Sequence, residues 1–158
     1  MRLLFRSLAV LSFAMCLSAR DTLTGDELKL LQDPGGWEYI SVSDSDNGIQ
    51  TQHTCFDGHP HPGQCSGTLT FTAAQKFVQK MRIHGQTVRR HGSYQLDDDQ
   101  LAFFDELGTR DGPYTLRLDA PNKRLVLEMP QVRIELELEK QYREDMRTHK
   151  PANAKPAM

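Results

Sequence analysis

Cysteine is scarce in this 158-residue chain, three in all, and tryptophan occurs once. So few cysteines exclude a disulfide-dense scaffold, and the fold has to rest on a hydrophobic core, for which the length and the 38% hydrophobic content suffice. An excess of one charge is also missing. Nineteen basic residues face 21 acidic ones for a net charge of −2, so the chain carries no electrostatic footprint for nucleic acid or an acidic membrane surface. The one long apolar run, Leu8 to Leu17, is too short to span a bilayer, and no integral membrane anchor is expected in the mature chain. Catalytic signatures are absent: no nucleophile elbow, no His-Glu-x-x-His and no phosphate-cradling glycine loop. Glu128, Glu135 and Glu137 alternate with apolar residues and are expected to face water. No catalytic residue, no cofactor and no metal is therefore expected. Finally, no helical periodicity of useful length lies between Trp37 and Lys140, which excludes parallel strands joined by helical crossovers.

What is present begins with MRLLFRSLAVLSFAMCLSARD: arginines at 2 and 6, the apolar run, then Ser18 and Ala19. This order reads as a signal peptide over residues 1–19, cut near Ala19, for a periplasmic or secreted protein. A lipid anchor on Cys16 fits worse, because Phe13 and Met15 suit a lipoprotein signal badly. Residues 20–34 follow as an N-terminal helical segment, in which TGDELKLL offers a capping box between Thr24 and Glu27, and Pro34, Gly35 and Gly36 stop the helix. Residues 143–158 read as a solvated tail.

Between them, residues 35–142 alternate like strands. Trp37 to Ser43 and Ile49 to Cys55 flank the turn-forming DSDNG, and Leu69, Phe71, Phe77, Met81 and Ile83 fall at even spacings. GSYQL and QLAFFDE enclose Asp97 to Asp99, a polar turn without the alternate spacing of a calcium loop. Gly108 to Pro113 reads as a connection. Tyr114, Leu116 and Leu118, then Leu125, Leu127 and Met129, then Val132, Ile134, Leu136 and Leu138 form the inward columns of the last three strands. About eight antiparallel strands with one apolar face each are best served by closing on themselves, so the expected fold is all-β, an up-and-down barrel, with a two-sheet sandwich as the alternative.

Gly35 and Trp37 match the Gly-x-Trp that opens the first strand of lipocalins, and GSYQLDDDQLAFF matches a Gly-x-Tyr strand, acidic turn and apolar strand. On these residues the chain resembles the lipocalin-like (calycin) barrels of the small exported bacterial type over roughly Gly35 to Lys140. Thr109, Asp111 and Tyr114 only echo the family's Thr-Asp-Tyr. The resemblance implies a late arginine over Trp37, a role open to Arg133 or Arg143. It also implies a small hydrophobic or amphipathic ligand in the barrel, with Trp37, Phe71, Phe77, Met81, Phe103, Arg110 and Leu116 as candidate ligand-binding residues. Whether side chains fill the interior stays open, since eight strands enclose only enough room for side chains or one small ligand.

The densest chemistry lies in HTCFDGHPHPGQC, His53 to Cys65. With Cys16 removed by export, Cys55 and Cys65 are expected to form a disulfide across this loop. The alternative, zinc on the two cysteines with His59 and His61, has the right atom types, but prolines turn those histidines apart and there is no tight cysteine pair. His84 and His91, with Arg89 and Arg90, read as a solvated hairpin tip, the alternative being a receptor for an anionic head group. Three functions follow: a carrier of a small hydrophobic ligand; a barrel with a protein partner, such as an exported protease inhibitor using Arg20 to Gln32 as an arm; and an enzyme of unknown reaction.

Overall fold

The computed structural model describes residues 22–46, 48–55, 65–83 and 85–140. The expected leader, His59, His61, His84, Arg143 and the tail lie outside these residues. One helix, α1 (Gly25–Leu31), precedes nine strands: β1 (Trp37–Asp46), β2 (Ile49–Thr54), β3 (Ser66–Phe71), β4 (Lys76–Ile83), β5 (Gln86–Asp97), β6 (Gln100–Asp105), β7 (Arg110–Asp119), β8 (Arg124–Met129) and β9 (Val132–Leu138).

The capping box forms as the sequence suggests. The Thr24 hydroxyl accepts from the Glu27 N–H at 3.3 Å, and the Glu27 carboxylate accepts from the Thr24 N–H at 2.8 Å. These contacts satisfy backbone donors that the first helical turn leaves over. The short helix ends on Leu31, which is fully buried, and the Leu31 carbonyl accepts from the Trp37 indole N–H at 2.9 Å.

Every strand pairs antiparallel with its neighbour, and β9 returns to β1, so the sheet closes into a barrel. Eight positions around the barrel hold nine strands, because β2 and β3 share one. Along one edge of β1, Ser41 to Asp46 pair with β2 while Trp37 and Glu38 pair with Thr68 and Leu69 of β3. The two are segments of a single interrupted strand, and the Cys55–Cys65 disulfide lies at the break, with its Cα atoms 4.2 Å apart. The cross-link therefore closes a loop that leaves and re-enters one strand position.

The barrel's two ends differ. At the helix end Trp37, Phe71, Phe77, Tyr94, Leu101, Leu125 and Leu136 are buried. Tyr94 accepts from the Gln32 amide at 2.8 Å and donates to the Thr72 carbonyl at 3.0 Å, tying the segment after α1 to the β3–β4 turn. β5 bends close beneath β6 at Gly92, where a Cβ would collide with the Phe104 carbonyl. Alternation assigns the faces correctly in the last strands: Leu116 opposes Leu127 and Leu127 opposes Ile134 inside, while Arg117 stands outside and exposed.

Four expectations need correction. Gly108 to Pro113 is not all connection, since β7 begins at Arg110 and accommodates an extra residue between Leu101–Tyr114 and Phe103–Asp111. The stretch around Arg89 to His91 is not a hairpin tip but lies within β5, which already begins at Gln86, opposite Ile83. Arg133 opposes Ser43, far along β1 from Trp37, and its guanidinium is engaged with Glu128 and Glu135, so it does not cover the tryptophan. Glu137 does face outward, yet it is only 5% exposed, with Arg124 Nε at 3.7 Å from its carboxylate.

Candidate functional site

The inward columns stack in three layers from the helix end. The first is aromatic. Phe103 lies edge-on to Phe77 with ring centres 4.8 Å apart, stacks on Phe71 at 6.0 Å and meets Tyr114 edge-on at 5.9 Å; Phe71 meets Tyr94 edge-on at 5.1 Å. These geometries suit the ring quadrupoles, and the rings pack one another. Of the candidate ligand residues, Trp37, Phe71, Phe77, Phe103 and Leu116 all belong to this packed core.

The second layer is polar, and the sequence pointed to it only piecemeal, through Arg90 in the alternative anion receptor and through Asp111 and Tyr114. Gln79 and Arg90 oppose each other across β4 and β5 in the inward columns. The Gln79 amide donates to the Tyr39 hydroxyl at 2.7 Å. Arg90 Nη1 donates to Asp111 Oδ2 at 2.6 Å and to Gln79 Oε1 at 3.4 Å, and the Tyr114 hydroxyl donates to Asp111 Oδ1 at 2.8 Å. The chain Tyr39–Gln79–Arg90–Asp111–Tyr114 thus satisfies polar atoms that would be costly in an apolar interior. Arg90 still presents Nε and Nη2 without a partner among the described residues. Asp111 was noted in the sequence only within the Thr-Asp-Tyr echo; the register gives it this inward place.

Both phenols feel the site. Burial, opposed by the Gln79 hydrogen bond and by Arg90, pushes the Tyr39 hydroxyl up to about 12, and burial together with the bond to Asp111 raises Tyr114. Between the ordinary tyrosine value and the folded one, the fold holds protons that the unfolded chain releases, so stability falls as pH rises. Urea midpoints are therefore expected to drop from about pH 10 to about pH 12. A Tyr39→Phe variant should lose part of that slope, and a slope unchanged in the variant would contradict the placement of Tyr39.

The third layer, toward the turns at Gly48, Gly85 and Pro130–Gln131, is mixed and partly open, with Asp44 opposite Val132 and Gln86 opposite Ile83 in the same inward columns as its apolar residues. Met81, Ile83, Met129, Val132 and Ile134 face inward but are only half-buried, and Val88, opposite Met81, is 36% exposed. Of the remaining candidates, Met81 belongs here. Arg110 does not: it opposes Phe104 on the outer face and is exposed, and the inward residue is its neighbour Asp111. The alternative anion receptor is likewise divided among its described residues, because Arg89 and His91 face out, His91 lying 2.6 Å from Glu106, while Arg90 faces in. No group of three or more metal-ligating side chains occurs among the described residues. Cys55 and Cys65, joined to each other, offer no thiolate to zinc.

The fold and site together define a closed antiparallel barrel with one packed end and a polar middle layer. Compared with known proteins, the chain matches no family model, no curated protein and no solved structure.

Proposed function

We propose that this is an exported, lipocalin-like barrel that binds one small hydrophobic or amphipathic molecule through the end opposite α1, and that it binds rather than catalyses. One observation carries the reading: inward-facing apolar side chains are buried at the helix end but solvent-accessible at the other, where Met81, Val88, Met129 and Val132 line the interior beside the polar Asp44 and Gln86. Such a lining above a few convergent polar groups has the composition of ligand sites. Gln79, Arg90 and Asp111 form its floor and suit a polar group on the ligand. The Cys55–Cys65 disulfide fits an oxidising compartment, and no helix among the described residues is long and apolar enough to cross a membrane.

The test is titration with a fluorescent naphthalene sulfonate dye, alongside native mass spectrometry of the protein as purified. Saturable binding of one dye per chain is expected. Met81→Arg should weaken it about tenfold or more, a loss of roughly 1.4 kcal/mol. The same change at Leu107, exposed on the β6–β7 connection, should leave it intact. Binding that is unsaturable, or equal in the two variants, would overturn the site.

A further inference from the structure

Closure of the barrel leaves one edge over. β1 pairs with β2 on one side and with β9 on the other, and among the described residues no strand pairs with the outer side of β2. The backbone parity is determined by two hydrogen bonds. The Cys55 N–H donates to the Ile40 carbonyl, toward β1, and the Cys65 N–H donates to the Thr54 carbonyl, away from it. Residues in step with Cys55 therefore turn their backbone groups to β1, and Gln50 and Gln52, in step with Thr54, turn theirs outward. The Ser45 N–H agrees: opposite Gln50, it turns away from β2 and donates to Gln131. Gln50, Thr51 and Gln52 are all exposed. β2, IQTQHT, carries none of the devices that guard an open edge, having no lysine, no carboxylate and no proline.

We infer that β2 is a dimerisation edge, pairing antiparallel with β2 of a second copy about a two-fold axis through Thr51. Gln50-Thr51-Gln52 reads the same in both directions, so the pairing complements itself. Gln50 of each copy opposes Gln52 of the other, and the two pairs exchange four N–H to carbonyl bonds. Thr51 opposes its own copy as a close, non-hydrogen-bonded pair. A register shifted by one residue would set outward groups against groups already spent on β1. A shift by two toward Thr54 would demand the carbonyl that Cys65 has taken. Neither strand carries a formal charge with histidine neutral, so the joint meets no like-charge repulsion, and the exposed Ile49, 71% accessible, lies at its end. An isologous joint of this kind closes at two copies and does not propagate.

A six-residue edge forms a small interface, so association is weak. Sedimentation velocity should show the monomer giving way to dimer between ~10 µM and ~1 mM. Gln52→Pro removes an outward N–H and leaves the ladder to β1 intact, and it should raise the dimerisation midpoint at least tenfold. In a Cys16→Ser background, Thr51→Cys should cross-link rapidly on mild oxidation, because a non-hydrogen-bonded pair lies within disulfide reach. Gln50→Cys, two residues from its own copy, should cross-link at least tenfold more slowly. If Gln52→Pro fails to fold, the cysteine pair decides. A wild-type protein that stays monomeric over the range, including one whose edge takes an extended peptide from elsewhere, overturns the inference. So does equal cross-linking of the two cysteine variants.

Discussion

Replacing Phe103 with Ala is expected to cost about 3–5 kcal/mol. Phe103 is 6% exposed and its ring touches those of Phe71, Phe77 and Tyr114, so its removal empties the junction of the aromatic layer. The space left behind is slow to collapse because the backbone is held from both sides. Tyr94 opposes Phe103 across β5, and Asp111 opposes it across β7. Losing ring contacts adds to the lost burial. The neighbouring Phe104 makes the control. It faces outward between Ser93 and Arg110 and is half-buried, so Phe104→Ala should cost about 1 kcal/mol. Urea unfolding of both variants checks the pair. Equal losses would mean that β6 is out of register by one residue, since such a slip exchanges the two faces.

Phe103 entered the sequence reading through the barrel resemblance, since Ala102 and Phe104 blur alternation in β6, whereas the inward columns of β7, β8 and β9 were legible from alternation. β7 and β9 repeat apolar and polar residues over at least two full periods, β8 does so apart from Val126, and the helix start was written in Thr24 and Glu27. Legibility failed wherever the inward column was not apolar. Running back from Tyr94, the inward residues of β5 are Gly92, Arg90 and Val88; a glycine and an arginine in succession break the pattern that marks a strand. The opposite column had a usable signal, because Gln79 falls between Phe77 and Met81 at the inward spacing. An inward glutamine on one strand calls for a polar partner on the next, and Arg90 is that partner. The extra residue in β7 was hidden for a different reason. Gly108 to Pro113 carries turn residues, so the start of the strand read as a connection with Arg110 at the barrel mouth. A bulge leaves no mark in composition to show that Asp111 turns inward. Nor does local pattern reveal that β2 and β3 share one barrel position, which depends on how far each reaches along β1.

Removing the cross-link at that shared position is the second large effect. With Cys55 and Cys65 both changed to Ala, or with the native bond reduced, stability should fall by about 2–5 kcal/mol. The bond joins residues ten apart, and loop-closure entropy alone assigns such a constraint roughly 2.5 kcal/mol. Position adds to this. Both cysteines are buried at the barrel wall, at 0% and 1% exposure, so two small voids appear with the alanines. The break also separates the two halves of one strand. β2 then holds to the barrel through β1 alone, while β3 keeps both β1 and β4. Hydrogen exchange should therefore quicken first at Cys65, whose N–H reaches Thr54 across the break, and along β2, with β8 and β9 unaffected. The oxidised protein should show no thiol at positions 55 and 65 after denaturation. A chelator should leave its melting temperature unchanged, because the sulfurs are bonded to each other and not to an ion. His59→Ala together with His61→Ala should be nearly silent. The zinc alternative inverts each result: thiols titrate after denaturation, the chelator lowers the melting temperature, the double histidine change is costly, and elemental analysis finds one zinc per chain.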